Sequence, residues 1–268
     1  MKKIGIIGCG NMGGAIATAL STNKDWSITL YDSNDDLATG LAIELGCIAS
    51  PSITEMIRNC QYIILAVKPQ ILPSLYQIFS ENNAPSKYWI SIAAGVPLSV
   101  LCEKLGTGNV VRFMPNIAAK AKKAVTAVAS CENADKELTD TAMEIATSFG
   151  SAFALPESQF AAFIGISGSA IAYVFEFFHA LAMGGVEEGI PYPTALAIAR
   201  DTCISAATLQ KETGKGAVEL ATMVCSAGGT TIKGMKALAQ GNFDATVMSA
   251  VSASAEKSRQ LEELAKQK

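Results

Sequence analysis

Several features that would announce a function are missing from the 268 residues. There is one histidine, His179, and no Cys–His spacing pattern, so no metal site of the usual ligand types is expected. The seven cysteines, Cys9, Cys47, Cys60, Cys102, Cys131, Cys203 and Cys225, are odd in number, scattered and without a C-x-x-C pair. That distribution fits free thiols in a reducing cytoplasm better than a disulfide framework. Positive charge is not in excess: 21 Lys and Arg stand against 24 Asp and Glu, a net charge of −3. Neither a nucleic acid nor an anionic membrane is therefore an expected partner. The most apolar run, Phe160 to Phe175, carries Ser167 and Ser169 and stops at Glu176. It is shorter than the roughly 20 residues a membrane span needs, and a buried helix is expected instead. Lys2-Lys3 leads into a run that is at once glycine-rich, unlike a secretory signal. Neither an internal repeat nor a low-complexity segment is visible.

What is present is apolar. Half the residues are hydrophobic and the mean hydropathy is +0.30. That suits a large core, with more surface buried at an oligomer interface. Lys3-Ile4-Gly5-Ile6-Ile7 reads as a strand and Gly14-Ala15-Ile16-Ala17-Thr18-Ala19-Leu20 as a helix. Between them Gly8-Cys9-Gly10-Asn11-Met12-Gly13 matches G-x-G-x-x-G in the context that motif requires. Gly8 permits the tight turn, Gly10 lets backbone approach a pyrophosphate, and Gly13 lets helix and strand close up. A second strand, Ser27 to Tyr31, ends at Asp32. An acid there accepts from a ribose 2′-hydroxyl and repels a 2′-phosphate, which leans toward NADH over NADPH. The competing reading is that Asp32, Ser33 and Asn34 cap the next helix.

Strands and helices go on alternating. Helices are expected near 34–45, 52–58 and 70–80, and strands near 47–49, 61–67, 88–93 and 109–114. A strand, helix and strand follow at 124–129, 135–149 and 151–155. The alternation predicts an α/β fold with a doubly wound sheet, whose ligands bind beyond the carboxyl ends of the strands. Val67, Lys68 and Pro69, then Ala93 and Ala94, then Asn116 fall at those ends. Lys68 reads as a phosphate contact or as a solvated lysine. Asn116 reads as a contact to nicotinamide or substrate, or as the anchor of its own turn.

After Pro156 the pattern becomes helical, with segments near 168–188, 194–213, 229–240 and 243–266. A dinucleotide-binding domain over 1–158 and an all-helical domain over 159–268 are expected. The sparsely charged helices hint at a shared dimer core. Within them Ser226-Ala227-Gly228-Gly229-Thr230-Thr231 crowds hydroxyls and glycines before a helix. That is a place for a small carboxylate, or a capped interhelical turn.

Together these residues resemble the pyrroline-5-carboxylate reductase family. The resemblance rests on the glycine motif, Ala66-Val67-Lys68-Pro69-Gln70, Ser91-Ile92-Ala93-Ala94-Gly95 and Arg112-Phe113-Met114-Pro115-Asn116. It continues through Ser167-Gly168-Ser169, Ala172-Tyr173-Val174-Phe175 and the stretch Ser226 to Thr231. It implies an N-terminal Rossmann domain, a helical C-terminal dimerisation domain, and assembly as dimers or pentamers of dimers. It implies that Ser226, Gly228, Gly229, Thr230 and Thr231 bind 1-pyrroline-5-carboxylate, with Thr231 at the ring nitrogen as the catalytic group. Gly8, Gly10, Asn11, Met12, Gly13, Asp32, Val67, Lys68, Pro69, Ala93, Ala94 and Asn116 then hold NADPH or NADH. This sequence departs from the family at Ile117-Ala118-Ala119-Lys120, where Thr-Pro-Ala usually follows the asparagine, at Ala170-Ile171, and at Ala227, usually proline.

The reaction so implied is hydride transfer to the C=N carbon, giving L-proline in the last step of proline biosynthesis. An iminium is already electrophilic, so orientation and exclusion of water suffice, and no catalytic histidine is needed. His179 and Tyr173 read as packing residues. A β-hydroxyacid dehydrogenase would need a lysine on the first long helix of the second domain, and that helix has none. Reduction of another cyclic imine and a non-catalytic dinucleotide sensor are the alternatives.

Overall fold

A computed structural model describes residues 1–82 and 84–266. Two compact units make up the chain: Met1–Gly168 together with Ser254–Lys268, and Ser169–Ala253.

The first unit is built on one eight-stranded sheet of order β3-β2-β1-β4-β5-β6-β7-β8. The strands are β1 (Lys2–Ile7), β2 (Trp26–Tyr31), β3 (Ile48–Ala49), β4 (Tyr62–Leu65), β5 (Tyr88–Ser91), β6 (Val110–Pro115), β7 (Ala124–Ser130) and β8 (Gly150–Ala154). Helices α1 (Asn11–Leu20), α2 (Asp35–Leu45), α3 (Ile53–Asn59), α4 (Leu72–Glu81), α5 (Leu98–Leu105) and α6 (Lys136–Ser148) connect them. Both faces of the sheet are covered. Ile4, Ile6 and Ile64 join α1, α2 and α6 in one apolar core. Ile7, Ile63 and Leu65 join α3, α4 and α5 in the other. Successive side chains of a strand point to opposite faces, so strands covered on both faces read as continuous apolar runs.

The sheet is not wholly parallel. β1 to β6 are parallel neighbours, but β7 runs antiparallel to β6, and β8 parallel to β7. Only a short 3₁₀ turn, Ile117–Ala121, joins β6 to β7. A parallel return needs a crossover of a dozen residues or more, so the short link dictates the reversal. Helix α5 was not anticipated from the sequence. It is 8 residues long, with Leu98, Leu101 and Leu105 as its buried stripe.

Two expectations are corrected here. Cys102 and Cys131 form a disulfide, whereas Cys9, Cys47, Cys60, Cys203 and Cys225 are free. The cause is topological: antiparallel pairing brings the end of β7 to the start of β6, where the Cys131 amide donates to the Val110 carbonyl at 3.0 Å, and α5 packs beside β6. Spacing along the chain carries no trace of that approach. The apolar run from Phe160 is also not one buried helix. A short helix α7 (Phe160–Phe163) and a π-helical stretch Ile164–Gly168 precede α8 (Ala170–Glu187). Phe160 and Phe163 are buried, but Phe175 is 63% exposed. The helical stretch Glu157–Glu187 is long and apolar enough to cross a membrane by length and composition, with mean hydropathy 1.6 and 28% of its window buried. A helix covered by a second subunit meets the same criteria.

The second unit contains α8, α9 (Tyr192–Thr213), α10 (Ala217–Val224), α11 (Thr230–Gln240) and the start of α12 (Phe243–Lys266). Among its residues only Ala182, Ala195 and Ala199 are buried.

Within the first unit Arg112 of β6 is fully buried. Its guanidinium donates to Glu157 at 2.7 Å and to Glu262 of α12 at 2.8 Å, and lies over the Phe160 ring at 5.0 Å. Glu157 also accepts from the Leu98 amide at 2.8 Å. One buried cation thus ties together a strand, the start of α5 and the last helix.

Candidate functional site

The turn between β1 and α1 is shaped for a close backbone approach. Gly8 has φ +102, and a Cβ there would meet the Ala66 carbonyl oxygen at 2.7 Å. A Cβ on Gly13 would collide with the Gly8 carbonyl oxygen, so any side chain would push α1 away from the strand. Gly10 caps α1 without a side-chain hydrogen bond, and a Cβ there would meet nothing within 4 Å. The first turn of α1 holds no acid, so a helix start with unpaired amides is left without a negative neighbour on its own first turn, which suits an anion. These features fit the pyrophosphate of a dinucleotide. Met12 packs against the core of α1, while Asn11 accepts from Lys120 Nζ at 2.8 Å.

Asp32 stands at the end of β2. Its carboxylate accepts from the Cys9 amide at 2.7 Å and the Asn34 amide at 2.9 Å. It therefore ties the glycine turn to the start of the next helix. The cap of α2 is Asn34, whose side chain accepts from the Leu37 amide at 3.3 Å. Oδ1 also accepts from the Ser33 hydroxyl at 3.5 Å; each carboxylate oxygen has two lone pairs, so Oδ2 keeps capacity for a ribose hydroxyl. Cys9 lies beside Asp32, and its thiol is pushed up to about 12, chiefly by burial and then by the Asp32 charge. It stays protonated at neutral pH.

The remaining dinucleotide candidates lie at the carboxyl ends of β4, β5 and β6. Val67 is half-buried against the second core, and Lys68 is exposed and precedes a 3₁₀ turn that begins at Pro69. Ala93 is buried and Ala94 exposed. Asn116 is buried, and its side-chain oxygen accepts from the Ala118 amide at 3.2 Å and the Val125 amide at 3.3 Å. Its Nδ2 donates to Ser167 Oγ at 3.2 Å. Those bonds anchor its own turn. Sequence patterns gave no reason to assign Lys120 a role.

The second unit carries the other stretch. Gly228 takes φ +71, which a glycine adopts without steric cost, and this turns the chain into α11. Gly229 is the N-cap of α11, without a side-chain cap. A Cβ on Gly229 would strike Ser226 Oγ, so the serine hydroxyl lies against the start of the helix. Thr230 and Thr231 are its first two residues, Thr230 exposed and Thr231 half-buried. Among the described residues the hydroxyls of Ser226, Thr230 and Thr231 have no hydrogen-bond partner. Three unused hydroxyls beside the unpaired amides of a helix start, with no acid in the first turn, suit a small carboxylate.

His179 is exposed rather than core. Its Nδ1 lies 3.0 Å from the Tyr192 hydroxyl, in an edge-on ring contact between α8 and the start of α9. Tyr173 donates to the Ala250 carbonyl at 3.2 Å, a packing role. Helix α10 was not anticipated, being only 8 residues long with no buried residue.

The comparisons with known proteins agree across both units. Residues 157–261 match a family model described as pyrroline-5-carboxylate reductase dimerisation, and residues 3–95 match one described as NADP oxidoreductase coenzyme F420-dependent. A pyrroline-5-carboxylate reductase of Methanosarcina acetivorans is 38% identical over 97% of this chain and 98% of its own. The Escherichia coli enzyme of that name is 34% identical over 97% and 98%. Among solved structures, a pyrroline-5-carboxylate reductase from Coxiella burnetii superposes with TM-score 0.89 at 28% identity, covering 96% of this chain and 97% of its own. The Plasmodium falciparum pyrroline carboxylate reductase with NADP bound gives 0.84 at 27%, covering 97% and 98%. A dinucleotide turn, a hydroxyl-lined helix start and full-length likeness converge: the chain belongs to the pyrroline-5-carboxylate reductase family.

Proposed function

We propose that this chain reduces 1-pyrroline-5-carboxylate to L-proline, the last step of proline biosynthesis, with NADPH or NADH. A bound reduced nicotinamide supplies the hydride for the C=N carbon. The amides of Gly10, Asn11 and Met12 receive the pyrophosphate, and Asp32 receives a ribose. Val67, Lys68, Pro69, Ala93, Ala94 and Asn116 form the remaining wall. The hydroxyls of Ser226 and Thr230, with the amides at the start of α11, orient the substrate carboxylate. Gly228 and Gly229 leave room for it. Thr231 holds the ring nitrogen through its hydroxyl and is the catalytic residue. No side chain is required to act as a strong acid, because the iminium carbon is electrophilic before it binds.

The functional division is residues 1–158 for the dinucleotide and 159–268 for substrate and dimerisation. The chain works as a homo-oligomer, a dimer or a pentamer of dimers, in the cytoplasm and without nucleic acid or membrane. One observation carries the substrate reading: three hydroxyls without partners among the described residues lie within six residues at the start of α11. The apolar helices of the second unit support the oligomer, since so few of their residues are buried within the chain.

The test is oxidation of NADH and NADPH, each alone, on adding 1-pyrroline-5-carboxylate to purified protein, with L-proline as the product. Oxidation of either cofactor with stoichiometric proline supports the assignment. Dinucleotide binding with no oxidation sinks it.

A further inference from the structure

We infer that Lys120 and Lys122 clamp the dinucleotide pyrophosphate. This rests on dinucleotide binding at the glycine turn, as proposed above. The turn that carries both lysines is firmly placed. Asn116 anchors it through the Ala118 and Val125 amides, and Ala119 is buried within the core of α1. That anchoring brings the Lys120 ammonium to Asn11, at 2.8 Å from its Oδ1. Asn11 is the first residue of α1, next to the open Gly10 cap. The partner is neutral, so the lysine charge is oriented but not cancelled. An ammonium has three donors, and the bond to Asn11 uses one. The cation therefore stands beside amides already aimed at an anion.

Lys122 is an independent sign. Its φ is +54, in the left-handed region, and it is the C-cap of the 3₁₀ turn. Glycine fills that position without strain; lysine fills it at a cost. Strain retained at one residue points to a use for its side chain. That residue lines the same cleft, about 790 Å³, as Cys9, Gly10, Asn11 and Lys120. The cleft lining contains one carboxylate, Glu44 of α2, against the two lysines. The lining therefore carries a net positive charge, the sign a pyrophosphate requires.

The test is equilibrium binding of NADH by fluorescence and of ADP-ribose by calorimetry, across a range of salt. The proteins are the wild type, Lys120→Met, Lys120→Arg and Lys122→Gly. Lys120→Met is expected to bind both ligands roughly tenfold more weakly, as for loss of a charged hydrogen bond at an open site. Its affinity should also depend less on salt, and Lys120→Arg should restore most of both. Lys122→Gly should raise the melting temperature by relieving strain while weakening NADH roughly threefold. A purely structural role for the turn predicts the two changes in the same direction. Unchanged affinity and salt dependence in Lys120→Met overturns the clamp. Failure of wild type to bind either ligand overturns dinucleotide binding at the glycine turn instead.

Discussion

The two units bury their apolar residues very differently. In the first, Ile4, Ile64, Trp89 and Phe113 are fully buried, and helices on both faces complete the core. In the second, three alanines are the only buried residues, while Val218 is 82% and Met248 69% exposed. Exposed apolar surface on that scale marks an interaction site. The first unit is a finished fold within one chain. The second is half of a core whose other half is another copy. A sheet with crossover helices buries itself, whereas long helices joined by short turns need something to lie against.

The largest effect should come from breaking the shared half. Phe175→Asp puts a charge on the exposed face of α8. Burial of each phenylalanine is worth about 1.5–3 kcal/mol, and a symmetric interface loses it twice. Light scattering should show dissociation to a smaller species; an unchanged mass would mean this face is not the interface. Arg112→Met attacks the finished half instead. It strands Glu157 and Glu262 next to each other and should cost about 3–5 kcal/mol in urea unfolding of the first unit. A loss below about 1 kcal/mol would mean the buried cation does not hold α12.

Asp32→Ser should raise the NADPH:NADH ratio of kcat/KM by roughly tenfold, the effect of removing like-charge repulsion of a 2′-phosphate. It should also cost about 1 kcal/mol of stability, because the Cys9 and Asn34 amides lose their acceptor. A stability loss without a change in preference would leave Asp32 as a tie between turn and helix only. The smallest effect concerns Cys9. Its thiol is raised from an ordinary value near 9.0 to about 12. The folded state thus holds this proton more tightly than the unfolded chain. The resulting stability is intact below about pH 9 and fades as pH climbs toward 12. Cys9→Ala should make the alkaline decline in urea midpoint shallower, and identical slopes would contradict the burial argument.

The first unit was readable because its signals are local. β1, the glycine turn and α1 announce themselves in order, and buried strands such as Tyr62–Leu65 are unbroken apolar runs. The antiparallel β7 was not read, because orientation depends on the link before it rather than on its own residues. The Cys102–Cys131 bond was missed for the same reason. α5 and α10 are each only 8 residues long, too short for periodicity to stand out. Arg112 could have been noticed as a charge inside an apolar strand, which demands buried partners. Its partners, Glu157 and Glu262, lie 45 and 150 positions away, and no pattern links them. In the second unit the longer helices were legible but their exposure was not, since periodicity marks an apolar face without saying which chain covers it.

The central claim is that the stretch Ser226 to Thr231 handles the imine and the glycine turn handles the dinucleotide. Steady-state kinetics of Thr231→Ala, beside its NADH dissociation constant, test it most directly. If that hydroxyl satisfies the substrate nitrogen, kcat/KM for the imine should fall by about 1–3 kcal/mol, or roughly 5- to 150-fold, while NADH affinity stays unchanged. Weakened NADH binding with imine kinetics intact would contradict the claim.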